Sequence, residues 1–268
     1  MIQEQLRYFQ TLGFLQCKQL LLPEEIVAIS SAFDIAMERA RKGAPKPKIG
    51  EQRQQVVPLF DYCPDVFYAL LDNERIVDVF ENLMGEDFIF TLSEGIIHTG
   101  GSLWHHDACA PDGFFSMRAA IYLDTLGPDD GSLNVIPGSH STEFREALGN
   151  TIGELGVIPN DVPGRYPLYN DPGDVIFMNH KTFHSALSDK VGRRAIHINC
   201  VQNTTTDKNQ EHFDWLVGFL ERENRAWGRF YSDRLVVTAG PRRKKMLQRA
   251  IELGFGTTGR ITQLQVRS

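Results

Sequence analysis

The sequence has few cysteines and no long apolar run, and these two shortages exclude several kinds of protein. Its 268 residues include four cysteines, all widely spaced and none in a CxxC pair. A zinc ribbon is therefore not expected. We expect instead that the cysteines are reduced thiols in a cytosolic protein. No stretch of about 18 apolar residues suggests a membrane span. The polar N-terminus lacks the charged and apolar regions of a signal peptide, so we expect a cytoplasmic protein.

Positive charge is scarce as well. The formal net charge is -6, so a nucleic-acid partner is not expected. The one dense basic cluster, Arg242-Arg243-Lys244-Lys245, is typical of a solvated helix face. Hydrophobic content of 42% and charged content of 23% are ordinary for a globular protein. We expect a small molecule as the partner, and a monomer or a homodimer.

Helical periodicity predicts that residues 1–84 are mostly helical. One helix should begin near Pro23 and end at Lys42-Gly43, and helical spacing returns over 64–84. The intervening segment 43–58 has prolines and few apolar groups, which predicts a loop suited to cover a site. Two further helices are predicted at 207–229 and 241–253.

From Phe88 onward the period changes to that of short strands separated by Gly, Pro and Asp turns. Many short strands without alternating helices favour a sandwich or barrel over a doubly wound sheet. We therefore predict one β core wrapped by N- and C-terminal helices, without a domain boundary. The predicted strands lie at 88–90, 117–123, 133–136, 175–178 and 195–201.

The most informative motif is Trp104-His105-His106-Asp107, followed 77 residues after Asp107 by His184. Residues two apart on a strand point to the same face, so His105 and Asp107 would aim at a common point. His184 follows a strand-like run and would supply a third ligand, whereas His106 should face away. Two histidines and one carboxylate suit iron(II) and leave positions open for a co-substrate and dioxygen. An HxD tripeptide alone is a weak signal.

Two arginines, Arg193 and Arg194, open the next apolar run. A dicarboxylate co-substrate needs a cation at its far end, and arginine holds a carboxylate with two hydrogen bonds. Side chains alternate along a strand, so only one of the two arginines should point into the core. The residues alone leave that choice open.

In combination these motifs resemble the phytanoyl-CoA dioxygenase family of iron(II)- and 2-oxoglutarate-dependent oxygenases. The resemblance covers about residues 5–205, and its order and spacing are specific although no single motif is. It implies a mainly β fold with flanking helices, a double-stranded β-helix (jelly-roll, cupin-like barrel). The implied domain is single and spans 1–268, with its β core at about 86–205. The matching residues are Tyr8-Phe9, Gly13-Phe14-Leu15, Leu22-Pro23-Glu24-Glu25, Trp104 to Asp107, Ile121-Tyr122-Leu123-Asp124, Asp130-Gly131-Ser132-Leu133-Asn134-Val135-Ile136-Pro137-Gly138-Ser139-His140, Gly173-Asp174-Val175-Ile176-Phe177, His180, His184-Ser185 and Arg193-Arg194-Ala195.

The resemblance implies that His105, Asp107 and His184 are catalytic and bind iron(II). It also implies that Arg193 binds the distal carboxylate of 2-oxoglutarate, with Arg194 as the competing choice. Tyr122, Thr182 and Asn199 are weaker candidates for contacts to the co-substrate. The candidates for substrate contacts are Trp104, Arg118, Asn134 and His98, and His98 and His197 are expected to line the barrel.

The implied activity is a dioxygenase that uses O2 to hydroxylate a C–H bond of a small-molecule metabolite, releasing succinate and CO2. Alternatives are desaturation, cyclisation or epimerisation on the same iron site in natural-product biosynthesis, a non-catalytic metal-binding barrel, and a zinc hydrolase. Related halogenases have glycine or alanine at the position of Asp107, so its carboxylate argues against halogenation.

Overall fold

The computed structural model describes residues 3–43, 46, 53–107, 110–155, 162, 164–188, 190–227 and 231–256. The helices, in chain order, are α1 Gln3–Leu12, α2 Pro23–Arg41, α3 Pro64–Asp72, α4 Glu74–Met84, α5 Thr142–Leu155, α6 Gln210–Trp227, α7 Asp233–Val237 and α8 Pro241–Glu252. The strands are β1 Phe14–Cys17, β2 Gln54–Val56, β3 Ile89–His98, β4 Ser102–His105, β5 Ser116–Tyr122, β6 Leu133–Val135, β7 Tyr166–Leu168, β8 Val175–Asn179, β9 His184–Ala186 and β10 Arg193–Val201.

Two antiparallel sheets with flanking helices form the molecule. The larger sheet has the strand order β1-β8-β5-β10-β3-β2, and the smaller has the order β4-β9-β6-β7. In the larger sheet β10 lies between β5 and β3, and it pairs with both along nearly its whole length. Residues on the inner face of these three central strands can therefore meet across β10.

The strand β5 of the larger sheet is buried on both faces because each face meets a different layer. Ala119 and Ile121 of β5 belong to the cluster that includes Phe67 of α3 and Phe80 of α4. Their neighbour Ala120 belongs instead to a second cluster with Leu133 and Val135 of the smaller sheet. Alternate residues of one strand thus point to the helices and to the opposite sheet.

Most of the predicted elements are present, and the helix α2 is an example. It begins at Pro23 and ends at Arg41, and Lys42 has the left-handed conformation with φ of 51°. The predicted helix over 64–84 is in fact two helices, α3 and α4. The break occurs at Asn73, whose side chain accepts a hydrogen bond from the backbone N–H of Arg75 at the start of α4.

Several short elements were not predicted: β1, β4, β7, β9, α5 and α7. The predicted loop 43–58 contains β2, which adds to the edge of the larger sheet beside β3. Residues 44, 45 and 47–52 of that loop lie outside the described residues. None of the helices in the described ranges is long and apolar enough to cross a membrane.

Candidate metal centre

The strands β4 and β9 of the smaller sheet bring the two histidines of the predicted site together. His105 is the last residue of β4, and it is paired in register with His184, the first residue of β9. Asp107 lies two residues beyond the end of β4, so strand alternation does not orient it as predicted. Its backbone N–H instead donates to the carbonyl oxygen of His180 at 2.8 Å, and this hydrogen bond turns the carboxylate toward the imidazoles.

The ligand atoms of His105, Asp107 and His184 all lie within 4.8 Å of one another. The Asp107 carboxylate is 3.9 Å from His105 Nε2 through one oxygen and 3.5 Å from His184 Nε2 through the other. Three donor atoms of the types that bind iron(II) therefore converge from two separate segments.

Backbone carbonyls set the tautomers of both histidines. His105 Nδ1 is 2.7 Å from the carbonyl oxygen of Leu103, and His184 Nδ1 is 2.9 Å from that of Thr182. A carbonyl oxygen can only accept, so Nδ1 carries the proton in each ring. Each Nε2 then presents a lone pair, as a metal ligand must.

A positive group already lies among these atoms. Arg118, on β5, donates a short hydrogen bond to Asp107, and the same nitrogen is 3.0 Å from His184 Nε2. The donor set thus accommodates a cation, and a metal ion would compete with the guanidinium for the same two atoms. The residues present fit iron(II), with His105, Asp107 and His184 as its ligands.

Electrostatics favour the protonation states that metal binding requires. Burial alone would raise the pKa of Asp107, but the charges of Arg118 and then His184 outweigh it and hold that pKa below its usual range. Burial lowers the pKa of His184 to about 3. At neutral pH the carboxylate is therefore ionised and this imidazole is neutral.

A cavity of about 720 Å³ opens beside the three residues, between the two sheets. Four of the predicted substrate or co-substrate residues line it: His98, Arg118, Tyr122 and Asn199. His197 lines it as predicted, and so does His180, whose Nε2 lies 3.1 Å from Asn199 Oδ1. Burial lowers the pKa of His180 to about 4.

Sequence analysis did not single out Glu94, which also lines this cavity. It lies two residues after Leu92 and four before His98, and both of these residues line the cavity as well. Alternate residues of β3 therefore point into the cavity, and this period of two is the sequence signal that could have identified Glu94.

Four predicted residues are not among those that line the cavity, and Arg193 is one of them. The other three have contacts elsewhere. Trp104 is buried in a small cluster with Ile136 and Phe183. The side-chain amide of Asn134 donates to its neighbour Ser132, and the hydroxyl of Thr182 donates to the carbonyl of Gly13 at 3.1 Å. These contacts are structural.

The alternation along β10 separates the two arginines. Arg193 is 3% exposed, lies opposite His98 in the register, and donates to the carbonyl oxygens of Gly131 and Gly100. Its hydrogen-bond partners within the described residues are all backbone carbonyls, so no carboxylate there balances its charge. Arg194 points to the other face, where Asp124 at 2.7 Å and Asp34 at 3.0 Å balance its charge. Arg193, rather than Arg194, is therefore the arginine whose charge is available to bind an anion.

Several solved structures share this fold. HygX from Streptomyces hygroscopicus, with nickel and 2-oxoglutarate bound, is 20% identical with a TM-score of 0.62, covering 76% of this chain and 88% of that one. The α-ketoglutarate-dependent carbocyclase SnoK from nogalamycin biosynthesis is 19% identical with a TM-score of 0.59, covering 75% and 84%. EctD from S. alaskensis, with 2-oxoglutarate and 5-hydroxyectoine, is 18% identical with a TM-score of 0.58, covering 75% and 76%.

The sequence itself carries the family assignment. No curated protein sequence matches the chain closely. The family described as phytanoyl-CoA dioxygenase (PhyH) matches residues 9–195, which include the His-Asp-His group and Arg193. The predicted resemblance is thereby confirmed, and the chain is an enzyme that belongs to the phytanoyl-CoA dioxygenase family.

Proposed function

We propose that this protein is an iron(II)- and 2-oxoglutarate-dependent dioxygenase that hydroxylates a C–H bond of a small-molecule metabolite in the cytoplasm. The observation that carries the proposal is the convergence of His105, Asp107 and His184 within 4.8 Å at the edge of a 720 Å³ cavity. The two facing antiparallel sheets support the finer fold assignment, a double-stranded β-helix.

In this proposal the three residues would hold iron(II) and leave room at the metal for 2-oxoglutarate and dioxygen. The iron would supply the oxidising power. The protein supplies binding and orientation. Arg193 holds the distal carboxylate of 2-oxoglutarate with its two-pronged guanidinium, and Tyr122 and Asn199 contact the co-substrate from neighbouring strands. The walls of the cavity limit water around the reacting carbon.

Anaerobic addition of iron(II) and 2-oxoglutarate to the metal-free protein tests the site directly. Wild type should show the weak visible charge-transfer band of the iron chelate. Asp107→Ala should lose the band because a ligand is lost, and Arg193→Ala should need much more 2-oxoglutarate. Arg194→Ala is the matched control, since that side chain faces Asp124 and Asp34, and it should behave as wild type.

The reaction is then followed by succinate release with candidate metabolites. Tight zinc binding without the band, and no succinate release, would contradict the proposal and favour a hydrolase or a binding barrel. Analysis of the organic product separates hydroxylation from cyclisation and epimerisation. Cyclisation is the reaction named for the structural relative SnoK, a carbocyclase, and epimerisation is the reaction named for SnoN.

A further inference from the structure

Glu94 is a carboxylate in the cavity that the proposed iron chemistry does not use. It lies on β3, opposite His197 of β10, and it lines the same cavity as the three metal-binding residues. Its side chain is 18% exposed. It accepts hydrogen bonds from the amides of Asn199 at 3.1 Å and Gln55 at 3.3 Å. Amide partners fix the carboxylate in place without neutralising it.

The charge of Glu94 has no cationic partner within the described part of the chain. Its one close basic neighbour is His197, whose Nδ1 is 3.6 Å away. Burial, and then the charge of Arg118, lowers the pKa of His197, so its ring is neutral at neutral pH. Burial alone would raise the pKa of Glu94, but the neighbouring His197 and the charge of Arg118 lower it overall, so Glu94 stays ionised. A carboxylate that is largely withdrawn from water is costly unless a cation accompanies it.

Other groups of the cavity also accept a positive ligand. The pKa of His98 is lowered to about 3, chiefly by burial, so its ring does not repel a cation. Its buried Nε2 has no hydrogen-bond partner among the described residues. Glu223, on α6, lines the same cavity as a second carboxylate. The ring of Phe219, one turn earlier, already contacts Trp215 and the guanidinium of Arg222.

We propose that Glu94 binds a cationic nitrogen of the substrate, so that the substrates are small polar amines, including amino acids. The inference rests on the proposed function, because the metal-binding residues determine which carbon of the bound amine is oxidised. Glu94 and the three metal-binding residues line one cavity, so an amine bound at Glu94 extends its carbon skeleton toward them.

An alternative explanation is that Glu94 neutralises a cationic side chain that already lines the cavity. Arg118 now pairs with Asp107, and His197 lies between Arg118 and Glu94, at 3.4 Å from the guanidinium and 3.6 Å from the carboxylate. A metal ion at Asp107 would release Arg118, and Glu94 would then serve only to neutralise it. Arg53, at the same cavity, donates to Gln55 rather than to Glu94.

The test is a calorimetric titration of primary amines and amino acids, each paired with its N-acetyl derivative, which keeps the skeleton and removes the charge. Each pair is titrated into wild type and Glu94→Gln, with and without iron(II) and 2-oxoglutarate, in the absence of oxygen. Free amines should bind wild type more tightly than their acetylated partners. Binding to Glu94→Gln should be about 30-fold weaker, the usual scale for removing one member of a buried charge pair.

Two further variants make the result specific. Glu86→Gln, at a surface carboxylate paired with Lys245, should bind the amines as wild type does. The double variant Glu94→Gln/Arg118→Gln should remain defective in amine binding. Equal binding of free and acetylated amines, no binding of any free amine at millimolar concentrations, or recovery in the double variant would each overturn the proposal. Because binding is measured without turnover, the charge-transfer band and succinate release test the iron chemistry separately.

Discussion

At the residue scale, Gly131 determines where the guanidinium of Arg193 can lie. Gly131 has φ of +75°, and a Cβ atom added to it would lie 2.8 Å from Arg193 Cζ. Gly131→Ala should therefore displace Arg193 and weaken 2-oxoglutarate binding about 10-fold or more, since overpacking typically costs about 1–3 kcal/mol. The measurement is the concentration of 2-oxoglutarate that gives half of the charge-transfer band.

Gly164 offers a matched control for that substitution. It has φ of +83°, and an added Cβ would meet nothing within 4 Å. Gly164→Ala carries a comparable backbone strain without the clash, so its affinity for 2-oxoglutarate should equal that of wild type. If wild type, Gly131→Ala and Gly164→Ala bind 2-oxoglutarate with equal affinity, Arg193 does not need its present position to bind the co-substrate.

Asp174 predicts a pH dependence of stability far from the metal centre. Its side chain accepts hydrogen bonds from Lys18 Nζ at 2.8 Å and from the backbone N–H groups of Gln19 and Asp171. Burial alone would raise its pKa, but these bonds and the charge of Lys18 lower it. A carboxyl with a lowered folded-state pKa stabilises the protein above its unfolded pKa, and that contribution is lost as the pH falls through the folded value.

Asp174→Asn should therefore lower the free energy of unfolding at pH 7 by about 1–3 kcal/mol, because buried donors lose an ionised acceptor. The difference from wild type should shrink as the pH falls below about 4. Urea unfolding across this range measures it. Lys18→Met is the control, since an exposed lysine contributes only about 0–1 kcal/mol. A difference that does not depend on pH would mean that the pKa of Asp174 is the same in the folded and the unfolded protein.

At the scale of elements, Asn73 separates α3 from α4 and links α4 to α2. Its Oδ1 accepts from the N–H of Arg75, and its Nδ2 donates to Glu25 of α2 at 3.1 Å. Asn73→Ala should cost about 1–2 kcal/mol of unfolding free energy, the usual effect of losing an N-cap. The exposed Asn82→Ala, inside α4, should cost much less. If both variants unfold at the same urea concentration, the cap does not contribute to stability.

The sequence pattern predicted α2, which buries one face, and the continuously buried central strands β5 and β8, as well as β10. It missed β1, β2, β4, β7 and β9, because strands of three or four residues are too short to display a period, whereas the equally short β6 was found through its apolar run. The HxD motif predicted residues that converge in the structure, but for an incomplete reason, since a hydrogen bond from the backbone N–H of Asp107 to His180 orients the carboxylate. Glu94 was missed because its role depends on which strands become neighbours, and one sequence does not contain that information.

At the scale of the whole molecule, the metal centre joins segments that are distant in the chain, and Arg118 occupies part of it. Arg118 donates to Asp107 and lies 3.0 Å from His184. Metal binding to the native state must therefore break this ion pair. Without metal, Arg118→Gln should lower the melting temperature, because it leaves the partly exposed Asp107 carboxylate without its ion-pair partner. With nickel(II), the same variant should bind metal more tightly than wild type, since no guanidinium competes.

Thermal unfolding with a chelator and with excess nickel(II) measures both effects. A ligand that binds only the native state stabilises it by about 2.7 kcal/mol at a concentration 100 times its Kd, so a lower Kd appears as a larger rise in melting temperature. The rise should therefore be larger in Arg118→Gln than in wild type, and it should be absent in Asp107→Ala. An equal rise in Arg118→Gln and wild type would mean that the guanidinium leaves the ligand atoms at no cost. Arg118 would then be no competitor of the metal, and its role would lie with the substrate alone.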